Sequence, residues 1–207
     1  MHIKKVEDRE ENIWFEDKDG KKKFTRIVGG LGWPGVNLGF ALVVAENFDE
    51  DPFLKIRHLR VLAEAENKSL ETLFQKCLDL RERYCVQNFY ANTEDKSMME
   101  LLYYYNQDLK DISSLSLCLA SFPEDLGYHM RIVEEYLVKG KRILQFEEES
   151  ILPSYLLELS PEEALRGSIY DFPAVAALGY AVSYFKSHPW RKKVRPRRRS
   201  EETWKTV

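Results

Sequence analysis

The chain has 207 residues, with 31 Lys or Arg against 34 Asp or Glu and a formal net charge of -3, a size that suits one domain with a short appendage. Its 44% hydrophobic content argues against a disordered chain, and no apolar run reaches the roughly 18 residues that span a membrane. The segment after Met1 is charged and lacks the apolar region of a secretion signal, so we expect a cytoplasmic protein with no membrane partner.

The N-terminal third of the chain is predicted to form strands. Residues 1–23 are polar, and Asp19-Gly20 between two hydrophobic runs indicates a hairpin. The glycine-rich stretch 29–35 is predicted to be a tight turn between two strands. The predicted strands that follow the hairpin turn are 26–28, the continuous apolar run 38–45, and the half-exposed segment 53–63.

After residue 63 the apolar spacing changes from that of a strand to that of a helix. The first helix spans Leu70 to Tyr84, with Asn67 or Ser69 as its N-cap. Further helices are predicted at 96–105, 126–138 (closed by Gly140), 150–159 and 173–185, and strands at 85–90, 112–120 and 142–146.

This succession predicts an α/β fold. Three antiparallel strands come first, and the later strands alternate with helices, which favours parallel crossovers. We therefore expect a mixed five-stranded sheet flanked by helices, in the order of the ribonuclease-H-like (RNase H-like) fold. The predicted organisation is a polar segment over 1–23, the RNase H-like domain over 24–186, and a flexible basic tail over 187–207.

Cysteine usage is consistent with a reducing compartment. Cys77, Cys85 and Cys118 are widely spaced, with no CxxC pair and no Cys/His spacing typical of zinc sites. We expect all three to be reduced core residues.

The tail carries most of the chain's uncompensated positive charge. From Lys186 onward there are nine Lys or Arg and two Glu, a charge of +7, which leaves -10 on the first 185 residues. Seven of the eleven residues from Pro189 to Arg199 are basic, and Pro189 and Pro196 disfavour a helix.

Three segments of the chain resemble a known family in sequence and in order. They are RIVGGLGWPGVNLGFALVVAE (26–46), FYANTEDKSMMELL (89–102) and YDFPAVAALGYAVSYF (170–185). They resemble the C-terminal RNase H-like nuclease domain of phage terminase large subunits, which package and cut viral DNA. The resemblance covers roughly residues 24–186. It implies a phage or prophage origin, a bacterial host cytoplasm, and double-stranded DNA, a separate terminase ATPase or a portal protein as partners.

The same resemblance implies a metal site that this chain does not reproduce. In the family, acidic residues hold two divalent metals, because Mg²⁺ prefers hard oxygen ligands and two metals can stabilise both oxygens of a phosphodiester displacement. The family pattern places Asp in the first strand, at the end of the fourth strand and in the last helix. This chain has Gly29 or Gly30, Asn92 and Ala176 at those positions. We therefore expect a degenerate site and impaired catalysis.

A few acids remain that could contribute to an unusual ligand set. Asp171 matches a further family acid, and it is interpreted either as a residual ligand or, preferably, as the N-cap of the helix after Phe172. Glu94 and Asp95 could replace Asn92 as ligands, or stabilise the first turn of the next helix. An active site would combine Asp171 and Asn92 as catalytic residues with Mg²⁺ or Mn²⁺ held by Asp171, Glu94 and Asp95.

Other motifs are less informative. No GxxxxGK[ST] phosphate-binding loop occurs, so an ATPase would need a separate chain. Tyr103, Tyr104 and Tyr105 cannot share one helix face, so we expect a mixture of core and surface residues there.

The leading expectation is a DNA-binding or packaging module that lacks normal nuclease activity. Its tail would contact phosphates, and Trp190 could stack on a base. The basic residues concerned are Arg191, Lys192, Lys193, Arg195, Arg197, Arg198 and Arg199. Two alternatives stay open: an active two-metal endonuclease with an unusual ligand set, and a structural domain that docks to a packaging partner.

Overall fold

The computed structural model describes residues 1–8, 13–33, 38–47, 58–86, 88–92, 96–107, 117–119, 126–137 and 144–188. Several predictions fall outside these residues and stay untested. They concern strand residues 53–57 and 112–116, Gly140, the candidate ligands Glu94 and Asp95, and the tail from Pro189 onward.

The described residues contain strands and helices in the predicted general order. The strands are β1 (Ile3–Glu7), β2 (Ile13–Asp17), β3 (Lys23–Gly32), β4 (Gly39–Asn47), β5 (Leu59–Asn67), β6 (Phe89–Ala91), β7 (Leu117–Leu119) and β8 (Leu144–Gln145). The helices are α1 (Leu70–Tyr84), α2 (Lys96–Asn106), α3 (Leu126–Leu137), α4 (Leu152–Glu158), α5 (Pro161–Arg166) and α6 (Pro173–Ser187). The prediction did not include β1 or α5.

All eight of these strands belong to one mixed sheet. Its main path runs β1-β2-β3-β4-β5-β8, with β6 paired to the second half of β3 and β7 paired to β6. The pairs along β1 to β5 are antiparallel, whereas β3–β6, β6–β7 and β5–β8 are parallel. The predicted α/β class is confirmed. Within the described residues the sheet has eight strands rather than the predicted five, because β1, β2 and β8 extend it.

Helices cover both faces of the sheet. Alternate side chains of a strand point to opposite faces, so Ile27 and Leu31 pack with α1 and α2, while Val28 packs with α3, α4 and α6. Helix α1 begins after Ser69, one of the two predicted N-caps, whose hydroxyl accepts a hydrogen bond from the backbone N–H of Thr72. Each face therefore has its own apolar core.

The predicted glycine-rich turn is wrong for its first residues. Gly29, Gly30 and Gly32 lie inside β3 and pair with β4, and Gly29 and Gly30 also pair with β6. Glycine is disfavoured in a strand interior unless another backbone must come close. Helix α6 supplies that close backbone.

Helix α6 lies so close to β3 that only glycine fits at two positions of the strand. A Cβ atom at Gly30 would stand 1.9 Å from the carbonyl oxygen of Ala177, and one at Gly32 would stand 2.0 Å from that of Pro173. The facing part of α6 is built of small buried residues, including Ala174, Ala176 and Ala177. We call this contact of Gly30 and Gly32 with Pro173–Ala177 the glycine seam.

The glycine seam predicts that Gly30→Ala strongly destabilises the fold. The new methyl group overlaps backbone rather than a side chain, so the helix must move. Since ordinary overpacking of side chains already costs about 1–3 kcal/mol, we expect a loss of more than about 3 kcal/mol. Urea denaturation of the variant measures the loss.

Gly20→Ala is the matched control for this substitution. Gly20 has a φ of +67°, but a Cβ there meets nothing closer than 4.0 Å, so only backbone strain of roughly 1–2 kcal/mol applies. Equal losses in the two variants would contradict the close contact at Gly30.

Candidate functional site

Of the three positions at which the resemblance places acids, Asn92 and Ala176 line a cleft at the carboxyl end of β3 and β6, whereas Gly30 lies earlier in β3, outside the lining of this cleft. Gly30 pairs with Tyr90, and Asn92 follows the last paired residue of β6. Ala176 and Asn92 line a common cleft together with Gly32. The cleft has a volume of about 10 Å³, which is room for about one water molecule.

The walls of this cleft offer little to a cation. The Asn92 Nδ2 atom donates a hydrogen bond of 2.9 Å to the Tyr170 hydroxyl. The other lining residues are mostly apolar, among them Trp33, Met98 and Ile169. Gly30 and Ala176 have no ligand atom. The residues present at positions 30, 92 and 176 therefore do not fit a two-metal site, which needs several carboxylates.

Asp171 follows Tyr170, to which Asn92 is hydrogen-bonded, but it lines a different groove from Asn92. Asp171 is exposed, and its groove of about 420 Å³ is also lined by Lys68, Phe40 and Tyr155. Nothing in the described part of the chain groups three or more His, Cys, Asp or Glu side chains so that they could hold a metal. The pairing of Asp171 with Asn92 as catalytic residues stays a prediction, because the further candidate ligands Glu94 and Asp95 lie outside the described residues.

The interpretation of Asp171 as a helix N-cap is wrong. Helix α6 begins after Phe172, which occupies the N-cap position and makes no side-chain cap hydrogen bond. The backbone N–H of Asp171 instead donates to the Ser168 carbonyl at 3.1 Å. Asp171 therefore belongs to the preceding turn, one residue too early to cap the helix.

Two carboxylates near this groove have structural partners. Glu64 accepts hydrogen bonds from the backbone N–H groups of Ile151 at 2.9 Å and Leu152 at 3.3 Å, so it caps α4 from a neighbouring strand. Glu66 accepts from the Tyr155 hydroxyl at 2.8 Å, and this bond, together with burial, raises the pKa of Tyr155 to about 12. Both carboxylates serve to attach α4 to β5.

An ion pair between β3 and β4, which the sequence analysis did not predict, lies beside the C-terminal end of α6. The Arg26 Nε atom donates to the Glu46 carboxylate at 2.9 Å, and the side chains are only 18% and 3% exposed. Thr25 adds a hydroxyl hydrogen bond of 2.7 Å to the same carboxylate. Arg26 also donates to the backbone carbonyl of His188, the last residue described. The sequence signal that could have indicated this ion pair is one charged residue beside the apolar run of each of two adjacent strands.

Aromatic rings complete the contact at Arg26. Its guanidinium lies 5.5 Å from the ring centre of Tyr184 and 5.1 Å from that of Phe185, a cation–π arrangement. The Tyr184 ring stacks on the Tyr90 ring and on the His188 ring. Burial raises the pKa of Tyr90 to about 12, so its hydroxyl stays neutral. We call Arg26, Glu46, Tyr184, Phe185 and His188 the Arg26 clamp.

The tyrosines and cysteines singled out in the sequence are distributed over the surface and the core. Tyr103 and Tyr104 are exposed neighbours whose rings meet edge to face, while the side chain of Tyr105 lies outside the described residues. Cys77 is buried, and burial raises the pKa of its thiol. Cys85 and Cys118 are partly buried free thiols. Among these residues, the side chains that the structure describes belong neither to the cleft nor to the Arg26 clamp.

Comparison with known proteins leaves the family open. No protein-family model matches the chain, and no curated protein matches it significantly in sequence. Among the helices that the structure describes, none is long and apolar enough to cross a membrane.

The Arg26 clamp predicts an asymmetry between single and double substitutions. Arg26→Met leaves the Glu46 carboxylate buried without its main cation, which should cost about 3 kcal/mol of unfolding free energy. Replacing both residues, as Arg26→Met with Glu46→Leu, should recover most of that loss, and urea denaturation measures both variants.

The exposed pair of Glu162 and Arg166 provides the control. Its atoms are 3.7 Å apart and its side chains are about 80% exposed, so Arg166→Met should leave stability unchanged within error. A double variant at 26 and 46 that is as unstable as the single one would refute the role of the buried pair.

Proposed function

We propose that the chain is a terminase-nuclease-like domain of the RNase H-like fold that binds DNA and lacks two-metal nuclease activity. The proposal joins the resemblance of three segments to the arrangement of the strands and helices. It assigns the DNA contact to the basic tail rather than to the positions where the family holds its metals.

The order and directions of the strands support the fold. Strands β3, β4 and β5 are consecutive and antiparallel, and β6 and β7 then pair in parallel, with α2 between them. That is the succession of an RNase H-like sheet. Strands β1, β2 and β8 are additions to this succession.

The observation that carries the loss of catalysis is the glycine seam. Position 30 cannot hold a side chain because α6 occupies the space, with the Ala177 carbonyl oxygen 1.9 Å from an added Cβ. A carboxylate there would have to displace the helix. The alternative of an active endonuclease would therefore need a ligand set that avoids the first strand altogether.

The proposed DNA contact is electrostatic. The acidic body repels phosphate, whereas the segment from Pro189 to Arg199 carries seven cations. Each cation that neutralises a phosphate releases counterions, which gives affinity without sequence preference and a steep dependence on salt. A DNA-binding module of this kind needs no metal.

Deleting residues 189–207 should abolish most duplex binding. The deletion keeps His188, so the Arg26 clamp stays intact. In fluorescence anisotropy with a duplex of about 20 base pairs, the slope of log affinity against log salt should lose up to about 6 units, at roughly 0.9 per phosphate contact.

A full-length variant with the seven tail cations replaced by Gln separates charge from chain length. It should behave like the deletion. Unchanged affinity in both variants would refute the tail's role. Binding by neither variant nor the intact chain would remove the DNA-binding function and favour the structural packaging domain.

A further inference from the structure

Helix α4 exposes a leucine on the face opposite to its core contacts. Leu152, Leu156 and the following Leu159 occur at helical spacing and pack against the cores beneath the helix. Leu157 lies on the outer face and is 86% exposed. The packing of α4 therefore does not explain an apolar residue at this position, since the inner face already holds the helix.

Helix α5 shows the same feature more strongly, because none of its residues is buried. A capping box fixes the helix instead. The backbone N–H of Glu163 donates to the Ser160 hydroxyl at 3.2 Å, and the Glu163 carboxylate accepts from the backbone N–H of Ser160 at 2.9 Å. Leu165, in the last turn, is 67% exposed. The chain thus presents a preformed helix with an exposed leucine to solvent.

The two leucines lie in an acidic part of the chain. Glu147 is paired with Lys22 and Arg60. The segment 148–166 that follows has five Glu and one Arg, a charge of -4, and all five Glu residues are exposed. Most of this negative charge therefore faces solvent.

Acidic side chains accompany both leucines at short range. Glu158 follows Leu157, and Glu162 lies one turn before Leu165 on the same face of α5. Two residues join the helices, so the leucine Cα atoms are at most about 20 Å apart. A helix of about 14 residues is long enough to contact both. We call Leu157, Glu158, Glu162 and Leu165 the acidic leucine surface.

We propose that the acidic leucine surface binds a basic amphipathic helix of a protein partner. Apolar side chains of that helix contact Leu157 and Leu165, and its Lys or Arg side chains face the carboxylates. Exposed apolar residues rimmed by polar ones are typical of protein interaction sites. The negative charge favours a cationic partner and repels the phosphates of DNA and of anionic lipids. This site is therefore separate from the proposed DNA contact and does not depend on it.

A model peptide tests the apolar part of the site. The probe has about 14 residues, only Leu and Lys at amphipathic helical spacing, and a Leu and Glu peptide of the same pattern is its control. The dye-labelled peptides are titrated with the full chain in fluorescence anisotropy. Leu157→Gln with Leu165→Gln removes the exposed leucines. Tyr103→Gln with Tyr104→Gln removes a matched apolar pair on α2, whose side chains are 65% and 66% exposed.

The same titration tests the charge. Glu158→Gln with Glu162→Gln removes two carboxylates of the surface, and Glu71→Gln with Glu82→Gln removes two exposed carboxylates of α1 as the control. We expect the unsubstituted chain to bind the Lys peptide and not the Glu peptide. The leucine variant should bind at least about tenfold more weakly and the charge variant several-fold more weakly, while both control variants keep the original affinity.

Three results would overturn the proposal. The first is no binding of the Lys peptide by the full chain, or an equal loss of affinity in the variants and their controls. The second is a dimer of the full chain, seen by sedimentation, that the leucine substitutions dissociate, because the surface would then belong to a second copy. The third is peptide binding that appears only after deletion of residues 189–207, because the chain itself would then occupy the surface. The proposed DNA-binding function stands in each case, since the duplex titration tests it separately.

Discussion

Helix α6 can lie against β3 only because two glycines of the strand leave space for its backbone. The carbonyl oxygens of Pro173 and Ala177 occupy the volume that side chains at positions 32 and 30 would need. The central strand thereby gains a tightly packed cover, and α6 is buried along nearly its whole length. Other contacts of the domain, including α3 against α6, are built on this placement.

The same contact determines what each end of β3 can do. At the carboxyl end, the helix approaches so closely that the remaining cleft is about 10 Å³ and its polar lining includes the Asn92–Tyr170 hydrogen bond. At the amino end, the last turn of α6 meets the Arg26 clamp, and the chain continues into its basic segment. The same packing therefore leaves only this small cleft at one end of β3 and places His188 beside Arg26 at the other.

Much of the fold could be predicted because periodicity reports burial directly. The apolar run of β4 and the helical spacing of α1 were predicted correctly, and Ser69 was one of the two predicted caps. The glycines of β3 were wrongly predicted to form a turn, because turn preference is a local property of the sequence. Their place in a strand depends on the close approach of α6, which is distant in sequence. Strand β1 was missed because its exposed lysines hide the alternation. Helix α5 carried a signal that could have been used, the capping box of Ser160 with Glu163.

The site was predicted less completely, for two physical reasons. The meeting of Asn92 and Ala176 in one cleft follows from the strand order, which the resemblance implied. The pairing of Arg26 with Glu46 depends on the register between β3 and β4, which no spacing within either segment reveals. Asp171 was one residue from a cap position, within the usual uncertainty of a helix boundary.

The central claim is that α6 leaves no room for a metal beside Gly30, Asn92 and Ala176. Anomalous diffraction from crystals soaked in Mn²⁺ tests it most directly, because manganese can be located independently of any activity. The account predicts no anomalous peak within ligand distance of Asn92, and a carbonyl of Ala177 in contact with Gly30. A manganese ion bound between positions 30, 92 and 176 would contradict it.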